Sequence, residues 1–251
     1  MCARGATRFE GDAPDALLRA ALCLEGFWLF LALGGALVAD GASVSERLGL
    51  GRGALSAWRV TLAVAGFLAV SHGVHLALVA VELRDTGSLA RLDDAVRAAS
   101  GPRLAFAVAV IGLLPGVAEE LLFRGLVQRG LLRVAPALVA VTGAAALFAV
   151  AHADPVHSSG AFVLGLYLGA VAWRARSVRP AVACHAINNA AAVLAAAIGL
   201  PGLSLPPAAL AAGLLALGGV ALAVALAVPG RIASLPEGTP SGIKADDGIA
   251  D

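Results

Sequence analysis

Seven stretches of this chain are apolar for about as long as a lipid bilayer is thick, and that constrains the fold more than any other feature. They run over 17–39, 57–83, 103–123, 136–153, 156–173, 179–199 and 205–228. A helix rises 1.5 Å per residue, so roughly 20 apolar residues cross a hydrocarbon core of about 30 Å. Every backbone polar group must be satisfied within lipid, which leaves helices as the element for runs of this length. The expected fold is all-α: a polytopic membrane helix bundle of about seven transmembrane helices. Composition excludes the soluble alternative. Hydrophobic residues make up 59% of the 251 positions and charged residues 14%, against about 25% charged in an ordinary soluble domain. The formal net charge of +1 offers no electrostatic footprint for nucleic acid, so no nucleic-acid partner is expected.

The segment 84–102 differs from the spans. It carries Arg84, Asp85, Arg91, Asp93, Asp94 and Arg97, with Leu89, Leu92 and Val96 at helical spacing, the pattern of a short interfacial amphipathic helix. Residues 1–228 are expected to form one membrane-embedded domain, and the Gly/Pro/Ser/Asp-rich residues 229–251 a disordered C-terminal tail. Cys2, Cys23 and Cys184 form no CxxC pair and no metal-type spacing. Neither a lipoprotein signal nor a cleavable signal peptide is expected. With seven spans, the loops 40–56, 124–135 and 174–179 share a side with the C-terminal tail. Beyond residue 123 that side collects Arg124, Arg129, Arg133, Arg174, Arg176, Arg179, Arg231 and Lys244. Basic loops stay inside, so the C-terminus is expected in the cytoplasm. A single lysine among 18 basic residues, with abundant alanine, reads as GC-rich coding and points to a bacterial inner membrane.

Ionisable groups inside a bilayer cost roughly 2.5–3.5 kcal/mol or more each, so they are functional candidates by default. The notable ones are Glu25, His72, His75, Glu119, Glu120, His152 and His185, with the amides Asn188 and Asn189. Glu120 and Arg124 are i, i+4 neighbours in the favourable order, so the guanidinium can hold Glu120 ionised. Glu119 points about 100° away without that clamp, and the two carboxyls are expected to separate in proton affinity. The plainer reading is an interfacial salt bridge, which has no use for Glu119. His152 closes the fourth span one turn after Phe148. As a lone residue it reads more readily as a structural cap, donating to a last-turn carbonyl, than as a functional group. His185 and Asn189 are i, i+4 on one face with Asn188 beside them, an arrangement that also serves interhelical hydrogen bonding. His72 and His75 favour packing over metal binding, and Glu25 a hydrogen bond to a neighbouring helix.

Together, Glu119-Glu120-Leu121-Leu122-Phe123-Arg124, then Phe148 to His152, then His185 to Asn189 resemble the CPBP family of intramembrane proteases. That family includes the CAAX prenyl endopeptidases and bacteriocin-processing or immunity proteins. Its pattern is EExxxR, FxxxH and HxxxN in that order, and the resemblance covers roughly 103–199. It implies an intramembrane endopeptidase acting on a membrane-associated protein or peptide. Glu119 matches the catalytic glutamate that activates a water together with His152. His185 and Asn189 match the oxyanion-stabilising pair, and Glu120 and Arg124 match supporting positions.

The residue chemistry is compatible on its own terms. Peptide hydrolysis needs a base for water, a proton donor for the leaving amine and donors for the oxyanion. Two His and a Glu also admit a Zn²⁺ ion, although no HExxH is present and Asn is a poor zinc ligand, so the metal-free reading is preferred. A straight-helix estimate places His185 about 9 Å from the basic face and His152 about 24 Å along its helix from Pro136. The two can meet only if helices tilt, protrude or break, for example at Pro115-Gly116. Two alternatives stand beside the protease reading. One is a rhomboid-like serine protease using Ser158 or Ser159 with His185. The other is a non-catalytic membrane peptide-binding, immunity or adaptor protein on the same fold.

Overall fold

The computed structural model describes residues 13–38, 42–83, 87–97, 99–199 and 206–227. The tail at 229–251 lies outside the described residues. Among those described, nine helical rods account for the chain: α1 (Ala13–Val38), α2 (Val44–Arg47), α3 (Ala57–Ala80), α4 (Gly87–Arg97), α5 (Gly101–Leu131), α6 (Ala137–Ala151), α7 (Pro155–Ala175), α8 (Arg179–Ile198) and α9 (Pro207–Leu226). Six of them, α1, α3, α5, α7, α8 and α9, are long and apolar enough to cross a membrane. The chain is a multi-pass helical membrane protein, and α4 is the short amphipathic helix expected within 84–102.

The fourth expected span is the departure. Residues 136–153 form only the 15-residue α6, about 22 Å long and short of a full crossing. Pro136 precedes its first turn, Ala153 turns the chain in a left-handed conformation (φ 54°), and Asp154 caps α7 by accepting from the amides of Val156 and His157 at 3.0 and 3.1 Å. This turn brings α7 directly back along α6.

Helix α5 does not break at Pro115. It widens into π-helical turns at Val108–Leu113 and again at Leu121–Gln128, on either side of an α-helical stretch Leu114–Glu120. Proline supplies no amide hydrogen, and a π turn just before it absorbs the missing bond. The wide turns also rotate Glu119, Glu120 and Arg124 relative to a straight helix.

Small residues let helices approach where there is no hydrophobic drive between them. Gly66, Gly73 and Gly218 form the seam between α3 and α9. Gly112 and Gly116 of α5 lie against Ala190 and Ala186 of α8, where a Cβ on Gly116 would stand 2.5 Å from the Ala186 nitrogen. Overpacking of this kind costs about 1–3 kcal/mol. Gly116→Ala is therefore expected to lower stability by that amount in detergent unfolding. Gly34→Ala, whose Cβ meets open space, should be neutral or stabilising.

The loops sort onto two faces. At one, Arg129 donates to the carbonyls of Arg47 and Glu46 (both 3.0 Å). At the same face the Val178 amide donates to the Gly49 carbonyl (3.0 Å), Ser177 Oγ to Gly51 (2.8 Å) and Arg174 Nη2 to Leu226 (2.7 Å). At the other, Val96 of α4 packs with Leu18 of α1, Ala107 of α5 and Val193 of α8. A hollow of about 230 Å³ there, between Asp15, Leu18, Arg19, Arg103 and Phe106, contains the Arg103–Asp15 ion pair at 3.0 Å and no group of the site below.

Candidate active site

The tight α5–α8 contact at Gly116 puts Glu120 beside His185. Glu120 is fully buried and Oε1 accepts two hydrogen bonds: from Arg124 Nη1 at 2.8 Å and from His185 Nδ1 at 2.9 Å. Arg124 is equally buried. Its Nη2 donates to the Gly165 carbonyl of α7 at 3.0 Å, and its Cζ stands 4.4 Å over the Phe148 ring. One turn on, Gln128 Nε2 donates to the Gly169 carbonyl at 2.9 Å. Both carbonyls are reachable because glycine leaves room: a Cβ at Gly165 would meet Arg124 Nη2 at 3.2 Å, and one at Gly169 would meet Gln128 Oε1 at 2.8 Å. Glu120 and Arg124 thus form a clamp between α5, α7 and α8, not a surface ion pair at the end of a span.

Glu119 has a different setting. His185 Nε2 stands 3.8 Å from Glu119 Oε2, beyond hydrogen-bond length. The Glu119 carboxyl opens into a cleft of about 200 Å³ lined by Leu24, Trp28, Glu119, Phe123, Ala151, His152 and His157. The two adjacent acids have different settings: Glu120 is clamped by Arg124 and His185, while Glu119, also buried, sits at the wall of the cleft.

His152 caps its own helix, with Nδ1 donating to the Phe148 carbonyl at 2.8 Å, so the plain capping role is present. That bond places the proton on Nδ1 and leaves Nε2 as an acceptor in the neutral ring. The ring also lines the cleft and packs edge-on against Phe148 at 4.8 Å, and Phe148 in turn contacts His185 at 6.0 Å. The depth separation expected for straight helices does not keep the histidines apart.

Asn189 is engaged elsewhere: its Oδ1 accepts from Asn188 Nδ2 at 3.1 Å, one turn beyond His185 on α8. His72 and His75 stack on each other at 5.8 Å on exposed positions of α3 and do not line the cleft. Ser159 Oγ donates to the Val156 carbonyl at 2.7 Å and His185 is held by Glu120, which removes support from a Ser–His pairing.

Two groups in this region escaped the sequence reading. His157 packs against His152 with ring centroids 4.2 Å apart. Its signal was the short His-Ala-Asp-Pro-Val-His run around a turn. Glu25, read only as a partner for a neighbouring helix, is buried on α1 in hydrogen-bonding reach of Glu119. The described residues contain no group of three or more His, Cys, Asp or Glu arranged to hold a metal ion. Both nitrogens of His185 face carboxylates, and Nδ1 of His152 is spent on a carbonyl, so this donor set does not fit the zinc ion considered above.

Residues 101–191 match the family model for type II CAAX prenyl endopeptidase Rce1-like proteins. Over this segment the chain is similar to that family, in keeping with the CPBP resemblance of its motifs. The match runs from the start of α5 into α8, past Asn189, and so contains all three motifs, while α1, α3 and α9 lie outside it. CPBP proteins include CAAX-type intramembrane proteases, and the multi-pass helical fold suits that class. No curated protein and no solved structure matches the chain.

Proposed function

We propose that this chain is an intramembrane endopeptidase that hydrolyses a peptide bond of a membrane-associated protein or peptide. The observation that carries the proposal is the division of labour between adjacent acids. Glu120 is consumed by Arg124 and His185, while Glu119 opens into a cleft shared with two imidazoles. In the reaction, Glu119 takes a proton from a water whose oxygen attacks the scissile carbonyl carbon. The same proton then passes to the departing amine as the C–N bond breaks, giving a carboxylate and a free amine. His152, with Nε2 free to accept, orients that water. The resemblance assigns the oxyanion to His185 and Asn189. His185 is held by Glu120 through Nδ1 and donates to the oxyanion from Nε2 when that nitrogen also carries a proton, and Asn189, whose Oδ1 accepts from Asn188, donates from Nδ2. No serine or cysteine nucleophile takes part.

A C-terminal or leader-peptide processing role fits this reading, in a bacterial inner membrane with the C-terminus in the cytoplasm. The Arg-rich face formed by Arg129, Arg174 and their neighbours supports that orientation. Comparing protein termini in wild-type and Glu119→Ala cells tests the function. The expected result is one or a few membrane-associated proteins that keep their uncut form in the variant. Identical termini, or full complementation of a deletion strain by Glu119→Gln, would favour the non-catalytic peptide binder.

A further inference from the structure

One acidic side chain beside the cleft comes from outside the matched segment. Glu25 sits midway along α1, between the cleft-lining Leu24 and Trp28, and is 4% exposed. Trp28 packs edge-on against Phe123 at 6.1 Å, which fixes the face that α1 turns towards α5. The contrast with Glu120 is informative. Burial of Glu120 is answered by a guanidinium and an imidazole. Nothing comparable reaches Glu25: no nitrogen or hydroxyl among the described residues donates to its buried Oε2, and its hydrogen-bonding neighbour is the Glu119 carboxyl. An ionised carboxylate is acceptor-only, so two carboxyls can hydrogen-bond only with a proton between them. Two bare carboxylates in contact, away from water, would repel and lack solvation.

We propose that Glu25 is the positioning residue of the reactive glutamate. It holds one proton, donates it as a hydrogen bond to Glu119, and so fixes the Glu119 carboxylate towards the cleft. The role in hydrolysis rests on the endopeptidase reading; the shared proton does not. The shared proton is not consumed. The one Glu119 takes from water leaves with the amine, and the one on Glu25 stays in place through the cycle. Carboxyl pairs that share a single proton are an established way for two acids to occupy one site.

Infrared spectroscopy of the full-length protein in detergent tests the pair without a substrate. The wild type is expected to show a protonated-carboxyl C=O band that shifts in D₂O. That band should disappear in both Glu25→Gln and Glu119→Gln, because each leaves one carboxylate beside an amide donor, and should persist in the surface variant Glu46→Gln. A band lost in Glu25→Gln but kept in Glu119→Gln means that Glu25 is an ordinary neutral buried acid, and overturns the sharing. A band unaffected by both overturns it as well. Hydrolysis of an internally quenched prenylated peptide in the same micelles reads the positioning. Glu25→Leu, which cannot donate, is expected to fall roughly tenfold below Glu25→Gln in kcat with KM unchanged. Equal losses in the two variants overturn positioning. A wild-type protein that cuts neither this peptide nor any cellular protein sinks the endopeptidase reading and leaves the infrared result to stand alone.

Discussion

Glu119→Gln is expected to lower peptide hydrolysis by roughly 10³-fold or more while the protein stays folded in detergent. Glutamine matches glutamate in volume and keeps a hydrogen-bonding end, but it cannot take a proton from water. Glu119 has no guanidinium partner; Oε2 is 3.8 Å from His185 and the carboxyl faces the cleft. Removing its charge therefore strands no buried cation. The loss should fall on kcat, since the group acts in the transition state more than in substrate binding. Purified Glu119→Gln protein with normal turnover would end the proposal.

Its neighbour should fail in a different way. Arg124→Ala leaves Glu120 buried with only His185 for company, and breaking a buried pair from one side costs about 3–5 kcal/mol. The same change deletes the bond to Gly165 and the contact over Phe148. Thermal unfolding in detergent should show a large destabilisation, and activity should vanish with the fold. Replacing both partners with apolar residues, as in Glu120→Leu/Arg124→Met, should recover much of the stability and none of the activity. A single variant within 1 kcal/mol of wild type would show that the clamp is not what fixes α5 to α7 and α8.

These contrasts show which parts of the molecule were legible in advance. Long apolar runs announced the membrane helices because lipid admits little else. The Glu120–Arg124 pair was legible because i, i+4 spacing survives the π turns that follow Glu120. The contact between His185 and Glu120 was not, because it spans 65 residues and depends on how closely Gly116 lets α5 approach Ala186. Helix α6 ends within two residues of the apolar run 136–153; what composition did not show is that only 15 residues of it are helical, too few for a full crossing. His157 went unnoticed because it follows the turn at Ala153, five positions after His152, outside every familiar spacing. Glu25 was visible as a polar residue in a span, but nothing local to α1 indicates that it faces a second carboxyl.

The division between the matched segment and α1 has a practical consequence. Residues 101–191 contain Glu119, the Glu120–Arg124 clamp and the imidazoles, but none of Leu24, Glu25 or Trp28. Grafted alone into a foreign bundle, that segment would carry the proposed machinery with one side of the cleft missing. Whichever host helix filled the gap would then decide which peptides are admitted.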